Sequence, residues 1–235
     1  MIMITPLASS SAGNAYQVTD GKTSLLLEAG IRFADIRKAL KFRVSDVAGC
    51  LISHEHGDHG NAAADLMRAG IDIYASTGTL SALKLNGHRA KVIHAKEQFQ
   101  VGTWSVLPFD IQHDVAEPLG FLLMNQAGEK LLFVTDTYYI RYTFSGLTHI
   151  MVECNFSVKI LDQNILTGRV PYSMKSRLLR SHFSLENVRD FIRANDLSRV
   201  QEIWLLHLSD TNSDANLFKR EIQSITGKPV YVAHK

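Results

Sequence analysis

The chain has 235 residues, of which 46% are hydrophobic and 20% are charged, and its formal net charge is +2. This apolar content is enough for one sizeable core and argues against an intrinsically disordered chain. The small net charge does not by itself indicate a nucleic-acid-binding protein. The two cysteines, Cys50 and Cys154, form no CxxC pair, which argues against a disulfide scaffold and against a thiolate zinc site.

No apolar run approaches the ~18 residues that a membrane-spanning helix needs. The first basic residue is Lys22, so the positively charged start of a secretory signal is missing. We therefore expect a cytoplasmic protein with no membrane partner.

Short apolar segments bounded by Gly, Asn, Asp or Pro predict β-strands, in chain order, over residues 1–7, 15–19, 24–28, 48–53, 71–75, 92–94, 104–109, 120–124, 130–135, 149–153, 202–206 and 230–233. Helical periodicity predicts helices over 33–40, 61–69, 80–85, 185–194 and 214–225, the last two with Ser184 and Ser213 as N-caps. Strands dominate both halves and helices fall between them, which favours a layered α/β fold on two sheets. No linker marks a boundary, so we predict one domain over residues 1–235.

The densest group of metal-ligand side chains is the segment SHEHGDHG at residues 53–60, which holds His54, His56, Asp58 and His59. It follows a predicted strand, and its two glycines loosen the backbone, so these side chains can converge on one point. Imidazole nitrogens and carboxylates are ligands for zinc, manganese and iron. A histidine-rich surface loop is the alternative, but the compact pattern favours a metal site.

Four ligands within six residues project in different directions, so we expect a two-metal site that is completed by residues further along the chain. His113, Asp136 and His207 each follow or end an apolar run. Each alone could be an ordinary loop or core residue. Their shared position at predicted strand ends, after a metal motif, favours a ligand role.

One segment, TGRVPYSMKSRLLRSHF at residues 167–183, has four basic residues and no acidic residue: Arg169, Lys175, Arg177 and Arg180. Such a charge run is usually a solvated loop followed by a short helix. It leads directly into His182, however, so contact with the substrate is the alternative interpretation of this segment.

These residues resemble the metallo-β-lactamase superfamily, whose motif HxHxDH stands at 54–59 and is followed by His113, Asp136 and His207. The segments SSSAGNAY at 9–16, VECN at 152–155, SHFS at 181–184 and LLHLSDTN at 205–212 resemble its YycJ/WalJ-type metallo-hydrolases, which are related to RNase Z and to PhnP-type phosphodiesterases. The resemblance implies the αββα metallo-β-lactamase sandwich, an α/β fold of two mixed β-sheets flanked by helices. It also implies a metal-dependent hydrolase that acts on phosphodiesters.

The resemblance further implies two divalent metal ions, zinc or manganese, with iron as an alternative. One ion would be held by His54, His56 and His113, the other by Asp58, His59 and His207, and Asp136 would bridge both. A metal-bridging hydroxide, oriented by Asp58, would attack phosphorus.

The same resemblance gives roles to residues outside the ligand set. His182 would be the general acid or a phosphate contact, and Glu153 would orient it. The basic residues Arg169, Lys175, Arg177 and Arg180 would hold the phosphate backbone of DNA rather than RNA, and Ser10, Ser11 and Asn14 would donate hydrogen bonds to a phosphate. The sequence departs from the family at Phe156 and Ser157, where a His–Asp pair is usual, at Ser181 and Leu185, where Gly and Asn are usual, and at Glu28, where Asp is more usual.

The leading hypothesis is a DNase with 5′-exonuclease character. The first alternative is a PhnP-like phosphodiesterase of small cyclic or nucleotide substrates. Hydrolysis of a β-lactam, lactone or thioester leaves His182 and the basic segment without a use, and only 45 residues separate Asp136 from His182, which excludes a β-CASP insertion. A non-catalytic binding protein would have eroded ligands, and a redox di-iron protein would have Glu in place of His56.

Overall fold

The computed structural model describes residues 1–233, which form a six-stranded and a seven-stranded sheet. The chain divides into two compact units. Unit 1 consists of Met1–Asp110 and Val115–Lys130, and unit 2 consists of Ile111–Asp114 and Leu131–Ala233.

Unit 1 contains the whole six-stranded sheet, whose order follows the chain: β1 (Met3–Ser10), β2 (Gly13–Thr19), β3 (Ser24–Leu27), β4 (Val47–Leu51), β5 (Ile73–Ala75) and β6 (Ala90–Val92). β1, β2 and β3 pair antiparallel, and β3 to β6 pair parallel. Four helices lie in the connections: α1 (Phe33–Ala39), α2 (Gly57–Gly60), α3 (Ala63–Arg68) and α4 (Thr77–Ala82), with a 3₁₀ turn at Val44–Asp46. Their apolar faces share a core with the sheet, in which Leu26, Ile36, Ile52 and Leu66 are fully buried.

Unit 1 also contributes an antiparallel ribbon of three strands, β7 (Phe99–Val101), β8 (Trp104–Asp110) and β9 (Leu119–Met124). Trp104 is fully buried at the start of β8, and its indole nitrogen donates to the Thr23 carbonyl at 3.1 Å. This bond fixes the ribbon to the end of the β2–β3 turn.

Unit 2 contains the parallel strands β10 (Lys130–Val134, whose first residue belongs to unit 1), β11 (His149–Glu153), β12 (Glu202–Leu206) and β13 (Val230–Val232), paired in that order. Its helices are α5 (Val158–Leu166), α6 (Ser173–Ser181), α7 (Leu185–Arg193) and α8 (Ala215–Thr226). In parallel strands the carboxyl ends lie at one edge of the sheet. Residues that follow β10, β11 and β12 are therefore brought together by the topology alone.

The predicted architecture of two mixed β-sheets flanked by helices is confirmed. Ser184 caps α7 as expected and accepts a bond from the Asn187 amide, but α8 begins one residue later than predicted, with Asp214 rather than Ser213 as its N-cap. Within residues 1–233, no helix is long and apolar enough to cross a membrane. The single domain and the cytoplasmic location stay predictions.

Candidate metal centre

The histidine-rich motif follows the carboxyl end of strand β4, as the sequence predicted, and turns into the single-turn helix α2. His54 and His59 are fully buried, and the centres of their rings lie 4.2 Å apart. The Nε2 atom of His54 lies 3.1 Å from Nδ1 of His56, and Nε2 of His59 lies 3.4 Å from Oδ2 of Asp58. Unit 1 thus brings all four predicted ligands of the motif into one cluster.

A buried carboxylate directly after strand β3 supports this cluster. Glu28 is fully buried, its Oε1 accepts a bond from the Ser53 amide at 3.1 Å, and its Oε2 lies 3.4 Å from Nδ1 of His59. Burial raises the pKa of Glu28 above its usual value, although His59 and Ser53 oppose that shift. A carboxylate on the far nitrogen of a ligand histidine fixes the orientation of its ring.

Asn14 reaches the same cluster from the start of strand β2. Its side-chain amide lies 3.2 Å from the Asp58 carbonyl and 3.3 Å from Nε2 of His59, and its Oδ1 accepts from the Tyr16 hydroxyl at 3.1 Å. The structure therefore gives Asn14 a positioning role. Ser10 is buried beside it, Ser11 is exposed at the tip of the turn, and their contact with phosphate stays a prediction.

Unit 2 places three predicted residues where its parallel strands end. Asp136 follows β10, Glu153 ends β11 and His207 follows β12. Nδ1 of His207 lies 2.6 Å from Oδ1 of Asp136 and 3.3 Å from Oε1 of Glu153. Asp136 and His207 both have positive φ, 40° and 53°, an uncommon conformation for residues with a side chain that often marks functional sites.

His182 joins this edge from the end of helix α6. Its Nδ1 lies 2.6 Å from Oε1 of Glu153 and 3.9 Å from Oδ2 of Asp136. Burial lowers the pKa of His182, but the charge of Glu153 and its hydrogen bond outweigh this, so the net pKa is raised. Burial likewise raises the pKa of Glu153, and His182 reverses the shift, so the net pKa of Glu153 is lowered. Both shifts favour the imidazolium–carboxylate form of the pair.

His113 completes the set of predicted ligands in unit 2. Its Nε2 lies 3.8 Å from Oδ2 of Asp136, and its Nδ1 lies 2.9 Å from the carbonyl oxygen of Ser181. That carbonyl accepts from Nδ1 and thereby presents Nε2 toward Asp136.

The donor atoms in unit 2 fit a divalent metal ion. Asp136, Glu153, His182 and His207 each offer one nitrogen or oxygen, and these atoms all lie within 4.8 Å of one another. Histidine nitrogen and carboxylate oxygen together suit zinc, manganese and iron. Glu153 and His182 are the predicted catalytic residues. The predicted acid, His182, therefore lies next to the predicted ligands Asp136 and His207.

The basic segment forms a loop followed by the short helix α6, as a charge run of this kind predicts. Arg177 and Arg180 are exposed on α6, three residues apart and hence on one face, and Arg169 is exposed before the helix. Lys175 differs, because its Nζ lies 2.5 Å from Oδ1 of Asp162. Its charge is therefore already paired within the protein.

Sequence reasoning missed the residues that support the ligands from behind. Asn155 donates from Nδ2 to the His207 carbonyl at 2.8 Å, and Ser181 supplies the carbonyl that His113 contacts. Asn155 lies in the motif VECN and Ser181 lies in the motif SHFS, and these two motifs are the sequence signal that could have identified them.

Residues 23–207 match the family model described as the Beta-lactamase superfamily domain. The curated relatives include the "Exodeoxyribonuclease YycJ" of Bacillus anthracis, 28% identical over 93% of this chain and 87% of the relative. They also include the "Exodeoxyribonuclease WalJ" of Streptococcus pneumoniae, 27% identical over 88% of this chain and 81% of the relative.

Two solved structures share the fold. The metallo-β-lactamase fold protein YhfI from Bacillus subtilis has a TM-score of 0.73 at 14% identity, covering 100% of this chain and 97% of that one. A diphosphatase of the PhnP family has a TM-score of 0.67 at 14% identity, covering 100% and 96%. The chain therefore belongs to the β-lactamase superfamily, and the predicted metallo-β-lactamase fold and hydrolase class are confirmed.

Proposed function

We propose that this member of the β-lactamase superfamily is a dinuclear metal-dependent phosphodiester hydrolase, a DNase with 5′-exonuclease character. The observation that carries the proposal is the group of Asp136, Glu153 and His207 at the carboxyl ends of three parallel strands, together with His182 at the end of helix α6. The names of the two curated relatives support DNA as the substrate.

The proposed ligands are His54, His56 and His113 for one ion, and Asp58, His59 and His207 for the other, with Asp136 shared. Bound divalent ions would supply an activated water near neutral pH and would offset charge on the phosphoryl oxygens. Glu28 and Asn14 hold His59 and Asp58 in place, and the Ser181 carbonyl orients His113.

His182 would protonate the leaving oxygen of the phosphodiester. Its Nδ1 is engaged by Glu153, so the opposite nitrogen is the one that a substrate would meet, and 17% of its side chain is exposed. The raised pKa favours the protonated form that an acid needs. Exposed Arg169, Arg177 and Arg180 would neutralise backbone phosphates ahead of the scissile bond.

The test is cleavage of end-labelled single-stranded and duplex DNA by manganese- or zinc-loaded protein. The comparison is a variant with both His54→Ala and Asp136→Ala, and the matched control is His94→Ala, an exposed histidine outside the cluster. We expect progressive loss from the 5′ end with wild type and His94→Ala, and neither bound metal nor cleavage with the double variant. Cleavage by the double variant at the wild-type rate would refute the ligand assignment.

The same assay decides the substrate class. Intact DNA with protein that binds two metals and hydrolyses bis-p-nitrophenyl phosphate would favour a phosphodiesterase of small cyclic or nucleotide substrates. The ion pair of Lys175 with Asp162 favours the small-substrate phosphodiesterase, because it removes one cation from the proposed DNA contact.

A further inference from the structure

A cavity within unit 2 lies next to the proposed acid, His182, and none of its lining residues is a proposed metal ligand or catalytic residue. Its volume is about 250 Å³, and its lining includes Tyr139, Arg141, Tyr142, Phe183, Asn187 and Phe191. This volume is below the ~300–1,000 Å³ of sites for drug-sized ligands. It suits one flat ring system rather than a larger molecule.

The two walls of the cavity are both hydrogen-bonded to the carboxylate of Glu153. Oε2 of Glu153 accepts from the Thr137 amide at 3.1 Å and from the Phe183 amide at 3.0 Å, while Oε1 meets His182. One wall is the segment that follows Thr137, and the other runs from Phe183 into helix α7. The cavity is thus placed directly beside the residue that would protonate the leaving group.

The wall that follows Thr137 is held in position along its length. The Tyr139 amide donates to Oγ1 of Thr137 at 3.3 Å, the Tyr138 carbonyl accepts from Asn187 at 3.1 Å, and the Phe144 amide donates to Asn195 at 2.7 Å. These hydrogen bonds fix the irregular segment that forms this wall. Tyr139 itself remains 56% exposed, so its ring is available at the mouth.

The cavity lining combines aromatic rings with polar side chains that can hydrogen-bond to a ligand. Phe183 and Phe191 are buried, with ring centres 6.2 Å apart, and form an apolar floor. Arg141, Thr143, Asn187 and Asp190 add hydrogen-bond donors and acceptors around it. An aromatic surface with mixed donors and acceptors matches a nucleobase, which stacks through its faces and hydrogen-bonds through its edge. Arg141 is the single cation among the lining residues, and the carboxylate of Asp190 disfavours a phosphate.

We propose that this cavity binds a nucleobase of the nucleotide next to the scissile phosphate, stacked on Tyr139. The proposal rests on the proposed function, because it takes the substrate to be a single-stranded nucleic-acid end. It makes the unpaired base at that end part of what the enzyme recognises, in addition to the backbone.

The experiment measures binding, so that it does not depend on turnover. Metal-loaded protein is titrated into two fluorescein-labelled phosphorothioate strands of equal length, oligothymidylate and a strand with tetrahydrofuran in place of every nucleoside. Fluorescence anisotropy gives both affinities. Wild type should prefer the base-bearing strand by ~10-fold or more, the usual scale of stacking on one aromatic side chain.

Two variants change opposite walls. Tyr139→Ala removes the stacking ring, and Ala194→Trp fills the cavity from the end of α7, so either one should reduce the preference to about 2-fold or less. Tyr231→Ala, which removes an exposed tyrosine on β13, is the matched control and should keep the wild-type preference. Melting curves identify a variant that fails to fold, and the other variant then decides.

The outcomes separate this proposal from the proposed function. A wild type without base preference, or folded variants that retain it, would overturn the base-binding cavity even if bis-p-nitrophenyl phosphate is hydrolysed. Loss of the preference in both variants, in a protein that hydrolyses no phosphodiester, would support the cavity and refute the hydrolase.

Discussion

His182 is bound through Nδ1 to a buried carboxylate, and its chemistry follows from that contact. The 2.6 Å distance to Glu153 fixes the ring and favours its charged form. A residue with this environment can donate a proton without being a metal ligand. Metal binding and proton transfer should therefore be separable at this residue.

We expect His182→Ala to keep its metal and to lose about 100-fold in kcat, the usual scale when a general acid is removed. Metal content by mass spectrometry and turnover of bis-p-nitrophenyl phosphate measure the two properties on one sample. His88→Ala, an exposed histidine in unit 1, serves as control. A variant that loses metal would show that His182 is a ligand instead.

Glu153 should act through His182, and its loss should change the pH profile. The carboxylate raises the pKa of His182, so Glu153→Gln lowers that pKa. An acid must be protonated to work, and activity then falls at a lower pH than in wild type as pH rises. The pH dependence of kcat reports this shift. An unshifted basic limb, with kcat merely reduced, would leave Glu153 a structural role only.

At the scale of elements, helix α2 carries Asp58 and His59, has His56 as its N-cap and packs against Gly30. A Cβ on Gly30 would stand 1.7 Å from the Asp58 carbonyl carried by this helix, a distance that no side-chain adjustment relieves. The residue type at position 30 therefore controls where Asp58 and His59 lie.

We expect Gly30→Ala to displace α2, to reduce the free energy of unfolding by at least about 2 kcal/mol and to weaken metal binding. The matched control is Gly57→Ala in the same motif, where the added Cβ meets nothing within 4 Å. Urea unfolding and metal titration compare the two variants. Equal behaviour of both would contradict the proposed seat of α2.

Helix α6 carries the proposed contact with the DNA backbone on its exposed residues. The double charge reversal Arg177→Glu with Arg180→Glu should weaken DNA binding and reduce the slope of affinity against salt, because fewer counterions are released. Lys219→Glu with Arg220→Glu on the exposed face of α8 is the control pair. Equal losses from both pairs, measured by anisotropy at several salt concentrations, would indicate a general charge effect.

Helix α6 also shows where prediction from the sequence is weakest. The charge run indicated a short helix after a loop but not the bounds of that helix, because most of its residues are exposed, and the three-residue strand β7 is too short for an alternating pattern. Strands β10, β11 and β12 were predicted because each is a short apolar run that ends at a polar residue. Their parallel order then brings Asp136, Glu153 and His207 to one edge.

The supporting contacts were out of reach of pattern reasoning for a different reason. The bonds of Glu28 and Asn14 to the motif join segments 25 to 45 residues apart, and they depend on tertiary approach rather than on local sequence. The motif residues themselves are adjacent in sequence, so their clustering was predictable. Phe156 and Ser157, two of the departures from the family, are buried, and Ser157 donates to Glu186 at 3.0 Å.

At the scale of the whole molecule, each compact unit contains one buried thiol. Cys50 lies in β4 of unit 1 and Cys154 follows β11 in unit 2. Burial raises the pKa of both thiols well above the usual value, with smaller contributions from Glu28 at Cys50 and from Glu153 and Glu186 at Cys154. Burial therefore disfavours the reactive thiolate at both cysteines in the folded units.

The two thiols therefore test the predicted single domain. We expect no reaction with a thiol reagent in the native protein, and in rising urea both cysteines should become reactive in one shared transition, because a single domain unfolds cooperatively. Pulse labelling followed by peptide mass spectrometry locates each modification. If Cys50 or Cys154 became reactive at a clearly lower urea concentration than the other, the two units would unfold separately and the chain would consist of two domains.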